Sequence, residues 1–364
     1  MTSEKPSIDA LIDQLRAREL PGLGRSLEVL GVRLSPPPVD NAGWRVGLPV
    51  ACEGLWPAIG AALSEVAQSH GAPDLRFDLH TDIPAFGVQR NLKRLPGINN
   101  IVAVSSGKGG VGKSSVAVNL ALAWQAEGGR VGILDADIYG PSVPRMLGLP
   151  EQPPESIDGK QFRPVEAYGL QAMSIGLLLE GDAPAVWRGP MATSALNQLL
   201  RQTAWHELDV LIIDLPPGTG DIQLSLAQTA PVAGAIVVTT PQDVALSDAR
   251  KGLEMFRKVS VPILGVVENM SLYRCPECGH ESSLFGQGGG HKLAADAQIR
   301  MLGELPLDPA IGHGLDRGRP TLADDPDSPL ALAFRQIAIS GGLALAEGRK
   351  DYSMVFPKIV VEDT

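Results

Sequence analysis

SSGKGGVGKS, residues 105–114, is the stretch that decides the fold. It matches G-x-x-x-x-G-K-[ST], a loop whose backbone N–H groups surround phosphate oxygens. The preceding NNIVAVS has the composition of a buried strand, and the following SSVAVNLALAWQAEGG that of a helix. The loop is therefore expected at a helix N-terminus, where the helix dipole favours an anion. The stretch predicts a nucleotide site, and it holds one lysine more than the pattern requires.

Each position of this phosphate loop has an expected role. We expect Lys113 to contact the β- and γ-phosphates and Ser114 to offer its hydroxyl to Mg²⁺. The remaining positions would contribute backbone N–H groups to the nucleotide phosphates. They are Gly107, Gly109, Gly110, Val111, Gly112 and Ser115.

Acidic residues follow two other predicted strands. DVLIIDL carries Asp214 at its end, where a Walker B carboxylate would hold magnesium, and PPGTGD after it predicts a mobile loop. Asp135 and Asp137 follow the strand RVGILD. One of these two carboxylates could order the attacking water while the other supports the magnesium shell. Without the phosphate loop, each would be interpreted as an ordinary strand-end or loop acid.

Short apolar runs interleaved with helical stretches organise the chain after residue 97. They do not alternate between apolar and polar residues, which predicts a mostly parallel sheet covered by helices on both faces. The runs are IVAVSS, RVGILD, LQAMSI, VLIIDL, AIVVTT and ILGVVEN. We therefore expect an α/β P-loop NTPase domain over residues 98–364, a small α+β domain over residues 1–85 and a linker over residues 86–97. In the small domain, residues 8–20 predict a helix.

The composition excludes several classes of protein. Of the 364 residues, 44% are hydrophobic, which is enough for an extensive core. The net charge of −10, without a dense Lys/Arg cluster, disfavours sequence-independent DNA binding and attachment to anionic lipid. No apolar run has membrane-spanning length, and the N-terminus lacks a signal-peptide core. A cytoplasmic protein with no nucleic-acid or membrane partner is expected.

CPECGH, residues 275–280, places two thiols where a tight turn can aim both at one metal. Four completions are open. His280 and His291 could form a Cys₂His₂ zinc site with Cys275 and Cys278, or two copies of the chain could form a Cys₄ zinc site. The same four thiolates could hold a [4Fe–4S] cluster, or the pair could form a reversible disulfide. The residues alone favour zinc, and the glycine-rich LFGQGGGHKLA predicts an exposed, flexible edge.

Six segments in one order resemble the Mrp/ApbC family of P-loop ATPases, which carry iron–sulfur clusters. They are SSGKGGVGKSS, LDADIYGPS, WRGPM, DLPPGTGDIQLSLAQ, TTPQDVAL and VVENMS followed by CPECGH. The resemblance covers residues 98–340. It extends to the deviant-Walker-A ATPases, which include MinD, ParA and the nitrogenase iron protein. It implies an ATPase that binds an iron–sulfur cluster at a dimer interface and transfers it to apo-proteins.

The resemblance also implies roles for particular residues. Lys108, the extra lysine, would reach across a homodimer to the partner's phosphates, so that hydrolysis is slow and requires dimerisation. Asp137 would activate water, and Asn269 would contact adenine. Cys275 and Cys278 would hold one [4Fe–4S] cluster shared across the dimer, beside ATP and Mg²⁺. The implied partners are Fe–S scaffold donors and apo-protein acceptors.

Other functions remain open at this point. Residues 8–83 resemble, in degenerate form, a small cluster-assembly domain whose cysteine would be Cys52, although a structural buried thiol explains Cys52 equally well. The alternative function is a MinD/ParA-like positioning ATPase with a structural zinc at the CxxC pair. The acidic ending YSMVFPKIVVEDT and the global charge argue against an anchor helix and against DNA binding. An electron-transferring reductase would require a permanently held cluster.

Overall fold

The computed structural model describes residues 8–35, 43–89, 92–150, 152–178, 189–275 and 277–348. Two segments named above lie outside these ranges: the ending YSMVFPKIVVEDT, residues 352–364, and Trp187 and Arg188 of WRGPM. The helices are α1 (Ile8–Ala17), α2 (Trp56–Ser69), α3 (Lys113–Ala126), α4 (Val143–Met146), α5 (Gly189–Gln202), α6 (Asp221–Thr229), α7 (Asp243–Lys258), α8 (Gly289–Ala297), α9 (Pro309–Asp316), α10 (Thr321–Asp324) and α11 (Pro329–Ala346). The strands are β1 (Glu19–Leu20), β2 (Arg25–Ser26), β3 (Leu34–Ser35), β4 (Trp44–Leu48), β5 (Phe77–Thr81), β6 (Ile98–Ser106), β7 (Val131–Asp135), β8 (Val165–Ala167), β9 (Leu170–Ser174), β10 (Leu208–Asp214), β11 (Val232–Thr239), β12 (Ile263–Arg274), β13 (Glu281–Ser282) and β14 (Met301–Leu307).

The main sheet confirms the predicted α/β class. In the described residues its order is β13-β12-β11-β6-β10-β7-β9-β8, and β14 pairs with β12 as well. All pairings are parallel except those of β13 and β8. β10 and β11 are buried along their whole length, because helices cover both faces of the sheet. β6, which leads into the phosphate loop, lies in the middle between them.

The N-terminal part of the chain forms a separate small sheet. β4 pairs in parallel with β5 and antiparallel with β3, and α2 packs on β5. The predicted helix over residues 8–20 ends earlier, at Ala17, because Glu19 pairs with Ser26 in the β1–β2 hairpin. The division of the chain at residues 85 and 97 stays a prediction.

Described residues of the expected linker pack against the main sheet. The N–H of Phe86 donates to Asn100 Oδ1 at 2.9 Å, and the Phe86 side chain is buried. Gln89 accepts a hydrogen bond from the Val232 N–H and donates one to the Ala227 carbonyl. These contacts hold this part of the segment on the surface of the α/β region.

Within the described ranges, α11 is the one helix long and apolar enough to cross a membrane on length and composition alone. Half of this helix is buried inside the protein. α11 packs against α3, β12 and β14, which is the environment of a core helix. The expected absence of a membrane partner stays a prediction.

Candidate nucleotide and metal-binding site

The phosphate loop connects β6 to α3 and is closely packed against two other elements. Gly110 and Gly112 have φ angles of +79° and +80°, which side chains rarely adopt. A Cβ at Gly107 would lie 2.1 Å from the Asp248 carbonyl carbon in α7. A Cβ at Gly112 would lie 2.3 Å from Asn269 Nδ2 in β12. The loop therefore needs glycine both for its backbone angles and for the close approach of its neighbours.

Lys113 lies at the centre of a cluster of residues that the sequence analysis named separately. Its side chain is only 5% exposed. Its Nζ lies 2.6 Å from Asp214 Oδ1, 3.6 Å from Asp137 Oδ2 and 3.1 Å from Ser114 Oγ. The structure thus brings together four predicted site residues from three separate parts of the chain, and one ammonium group pairs with two carboxylates.

Asp214 has the features that a magnesium ligand requires. It is fully buried at the end of β10, and its Oδ2 has no hydrogen-bond partner among the described residues. A buried carboxylate oxygen without a partner is costly, and a cation beside it would remove that cost. Ser114 Oγ accepts a hydrogen bond from Lys113 Nζ, the nitrogen that also contacts Asp214. The Ser114 hydroxyl and the Asp214 carboxylate are oxygen donors, which Mg²⁺ prefers.

Asp135 differs from Asp137 in what it contacts. The Asp135 carboxylate is fully buried and accepts hydrogen bonds from the N–H groups of Asp137 and Val143, each at 3.1 Å. It also accepts one from Ser174 Oγ at 3.0 Å. Burial raises the pKa of Asp135 to about 7, and the charge of Asp214 acts in the same direction. Asp135 therefore holds the loop that carries Asp137 and is not itself free to meet substrate.

The Asp137 carboxylate faces Lys113 and is 9% exposed. Burial raises the pKa of Asp137, while the Lys113 ammonium acts in the opposite direction. A carboxylate with raised proton affinity at the edge of a phosphate site suits a general base. Its water-activating role stays a prediction.

Lys108 is half-buried, and its side chain contacts another part of the same chain. Its Nζ lies 3.2 Å from Gln242 Oε1, and Gln242 is the residue before α7. Its carbonyl accepts a hydrogen bond from Ser106 Oγ. Sequence reasoning missed Gln242, although TTPQDVAL contains it. The in-trans role of Lys108 stays a prediction.

Asn269 contacts the phosphate loop directly. Its Nδ2 donates to the Val111 carbonyl oxygen at 2.9 Å, and the residue is 7% exposed. An adenine contact stays a prediction. The contact that the structure shows is between β12 and the loop.

The two hairpin cysteines lie at the far end of the same strand. β12 and β13 form an antiparallel hairpin with Tyr273 opposite Ser282, and the Cys275 N–H donates to the His280 carbonyl at 2.9 Å. We call residues 273–282 the cysteine hairpin. Cys278 is exposed, and Cys275 is half-buried. Hydrogen bonds from the N–H groups of Cys278 and Glu277 lower the pKa of the Cys275 thiol, which favours the thiolate that binds metals.

Histidine does not complete this pair in the described part of one chain. His291, in α8, is paired with an acid instead: its Nε2 lies 2.9 Å from Glu304 Oε1. No group of three or more His, Cys, Asp or Glu residues suited to a metal ion occurs among the described residues.

Cys52 lies in a very different environment from the hairpin thiols. Its side chain is fully buried just before a short 3₁₀ helix, Glu53–Leu55. Burial raises the pKa of Cys52 to about 12, with a further contribution from the charge of Glu127. These are the surroundings of a structural thiol.

Known proteins resemble the chain in sequence and in fold. A family model described as the NUBPL iron-transfer P-loop NTPase of the ParA group matches residues 97–340. The iron–sulfur cluster carrier protein of Haemophilus influenzae is 58% identical over 248 residues, 68% of this chain and 67% of that protein. The iron–sulfur cluster carrier protein of Pseudomonas fragi is 52% identical over 281 residues, 77% of this chain and 98% of that protein.

Solved structures show the same architecture. A nucleotide-binding protein from Archaeoglobus fulgidus in complex with ADP is 39% identical, with a TM-score of 0.56, covering 62% of this chain and 89% of that one. The Pyrococcus furiosus cell division ATPase MinD shares the fold at 23% identity and a TM-score of 0.50, covering 66% of this chain and 97% of that one. Together with the family model and the two carrier proteins, these matches show that the chain belongs to the family of NUBPL iron-transfer P-loop NTPases.

Proposed function

We propose that this chain is an ATP-hydrolysing carrier that binds an iron–sulfur cluster at the dimer interface and transfers it to apo-proteins. The observation that carries the proposal is the construction of β12. This strand holds the phosphate loop through Asn269 and continues into the hairpin with Cys275 and Cys278. The names of the two similar carrier proteins support the same function.

The nucleotide half of the site would use residues that already contact one another. Lys113 would bind the β- and γ-phosphates, while Ser114 and Asp214 would hold Mg²⁺, which neutralises phosphate charge when bound. Asp137 Oδ2, close to Lys113 Nζ, would accept the proton of the attacking water. Lys108, supplied by the partner chain, would stabilise charge on the leaving group.

The cluster half of the site would be built by two chains. The chain has three cysteines, and Cys52 is buried whereas Cys278 of the hairpin is exposed. Because a [4Fe–4S] cluster takes four thiolates, two hairpins must contribute Cys275 and Cys278 each. The exposure of Cys278 suits a cluster that leaves the protein.

The proposed partners follow from this cargo. A scaffold protein would donate the cluster, and apo-proteins with vacant cysteine sites would accept it. We place this transfer in the cytoplasm, without nucleic acid or membrane. The net charge of −10 supports that part of the proposal, since it disfavours binding to polyanionic surfaces.

Anaerobic reconstitution with iron and sulfide tests the proposal. We expect about four irons per dimer, the absorption of a [4Fe–4S] cluster, and transfer to an apo-ferredoxin that restores its own spectrum. Tightly bound zinc at one per chain, dependent on His280 or His291, would contradict the cluster and favour the structural-zinc alternative. The positioning-ATPase alternative is supported by fold alone.

A further inference from the structure

The cysteine hairpin belongs to a longer segment whose two ends meet. Residues 269–289 run from the middle of β12 through the hairpin to the start of α8. At their base the Glu268 carboxylate accepts a hydrogen bond from the Gly290 N–H, and both residues are buried. We call residues 269–289 the cysteine segment. Its position is set where it leaves and re-enters the core.

The outgoing end of the cysteine segment is attached to the phosphate loop. Asn269, its first residue, donates through Nδ2 to the Val111 carbonyl at 2.9 Å. Val111 is 2% exposed and Asn269 7%, so water does not compete freely for this contact. A Cβ at Gly112 would lie 2.3 Å from Asn269 Nδ2, so the amide fits closely against the loop.

The returning end lies against the connection between β11 and α7. A Cβ at Gly289 would lie 2.9 Å from the Pro241 carbonyl oxygen and 2.5 Å from Leu246 Cδ1. The residue after Pro241 is Gln242, which accepts from Lys108 Nζ at 3.2 Å. Both ends of the cysteine segment therefore connect to the phosphate loop, one through Val111 and the other through Lys108.

Between Asn269 and the cysteines, β12 contains a bulge. Asn269 pairs with Leu305 of β14 and Tyr273 pairs with Leu307, so β12 has extra residues between these two pairs. Met270 has a φ of +59°, a left-handed conformation that is uncommon for a residue with a side chain. Ser271 Oγ donates to the Leu305 carbonyl at 3.1 Å across the irregularity. Such bulges redirect a strand without breaking the sheet on either side.

We propose that Asn269 is a positioning residue that couples nucleotide occupancy of the phosphate loop to the exposure of Cys275 and Cys278, with the bulge at Met270 as the pivot. Phosphates draw the N–H groups of the loop toward them, and the Val111 carbonyl moves with its peptide units. The hydrogen bond to Asn269 carries that shift to the base of the cysteine segment.

This inference rests on the proposed function, because it matters only if one chain binds both nucleotide and cluster. Linkage then requires reciprocity. If nucleotide changes cluster affinity by some factor, the cluster changes nucleotide affinity by the same factor.

Thiol alkylation in the metal-free, full-length protein measures the coupling without a cluster. Pulses of iodoacetamide with and without saturating Mg-ADP, followed by mass spectrometry, give the rates at Cys275 and Cys278. Buried Cys52 serves as the internal reference. We expect Mg-ADP to change the hairpin rates of the wild type about fivefold or more, as for typical coupling energies.

Two variants separate coupling from the general loss of a buried hydrogen bond. Asn269→Ala should bring the ratio of rates with and without Mg-ADP close to one. Thr203→Ala removes a buried side-chain hydrogen bond, to the Leu199 carbonyl of α5, that reaches neither the phosphate loop nor the bulge of β12, so it should keep the wild-type ratio. Calorimetry establishes that Mg-ADP saturates each variant.

A wild-type ratio of one overturns the inference, and so does a wild-type ratio in Asn269→Ala. If that variant does not fold or does not bind Mg-ADP, hydrogen exchange in the wild type carries the test. Altered protection of the cysteine segment on addition of Mg-ADP supports the coupling, and unaltered protection overturns it. A failure of the carrier function would instead appear as failed iron and sulfide reconstitution, which none of these measurements uses.

Discussion

The phosphate loop and the cysteine hairpin share β12, but a single chain builds the first far more completely than the second. Around the loop, Lys113 and Asp214 are buried and already paired at 2.6 Å. At the hairpin, Cys275 and Cys278 reach the surface, and no third ligand joins them among the described residues of one chain. A buried set of charges suits a ligand that is bound and processed in place. An exposed half-site suits a ligand that a second chain helps to hold and that later leaves.

Removal of one hairpin thiol should have the largest effect. Cys275→Ala or Cys278→Ala should reduce reconstituted iron from about four per dimer to none, because the proposed shared site would then lack two of its four thiolates. ATP binding should stay at the wild-type level, since the phosphate loop is intact. Iron analysis and calorimetry measure both. The matched control is Cys52→Ala, which should retain the cluster, and iron retained in Cys275→Ala would contradict the shared site.

The next effect tests whether the phosphate site is as complete in one chain as its geometry implies. Lys108→Ala should still bind nucleotide but hydrolyse it about a thousandfold more slowly, the loss typical of a missing cationic finger. Mixing it with Asp137→Ala should restore part of the activity, because one site of the mixed dimer keeps Asp137 and receives Lys108 from its partner. Each variant alone at the same total concentration is the control. No recovery while subunits demonstrably exchange would count against a lysine acting in trans.

A smaller effect is expected on binding alone. Lys113→Ala should weaken Mg-ATP binding about a hundredfold or more. The variant would remove the cation of the expected lysine–phosphate pair, and truncating one member of a buried charge pair costs about 2–5 kcal/mol. Calorimetry gives the dissociation constant. Lys251→Ala is the matched control, because that lysine is 65% exposed and its ion pair with Asp248 lies at the surface. Equal affinities in the two variants would show that Lys113 does not contact the phosphates.

The smallest effect concerns the buried carboxyl behind the site. The pKa of Asp135 is raised from 3.8 to about 7, so the folded state binds more protons than the unfolded state between these values. The free energy of unfolding should therefore fall as pH rises through this window, by at most about 1.4 kcal/mol per pH unit. Asp135→Asn cannot titrate and should lose the part of this slope that Asp135 contributes in urea unfolding curves. Asp74→Asn, at an exposed position, should keep it, and an unchanged slope in Asp135→Asn would refute the assignment.

Local patterns predicted the α/β region because each element carries its own signal. The buried strands of the main sheet are continuous apolar runs, and the phosphate loop between β6 and α3 is recognised from its spacing of glycines and lysine. Where pairing between segments competes, the prediction was less accurate. The first helix ends at Ala17 because residues 19–20 pair with residues 25–26, and nothing in residues 8–20 encodes that partner.

The candidate site shows the same boundary between local and non-local information. The sequence by itself determined which residue types would bind a phosphate, a magnesium ion and a thiolate-bound metal. Glycine spacing, strand-end acids and a CxxC pair can be recognised because each spans only a few consecutive residues. Only the tertiary structure decided that Asp135 accepts a hydrogen bond from a backbone N–H group while Asp137 faces Lys113. It also decided that Gln242 contacts Lys108. It also decided that Asn269 meets Val111, which joins the loop to the strand with the cysteines. The reason is distance along the chain. Val143 lies 8 residues from Asp135, and Asn269 lies 158 residues from Val111. The packing of the sheet and helices, and not a local sequence pattern, sets which of these residues touch.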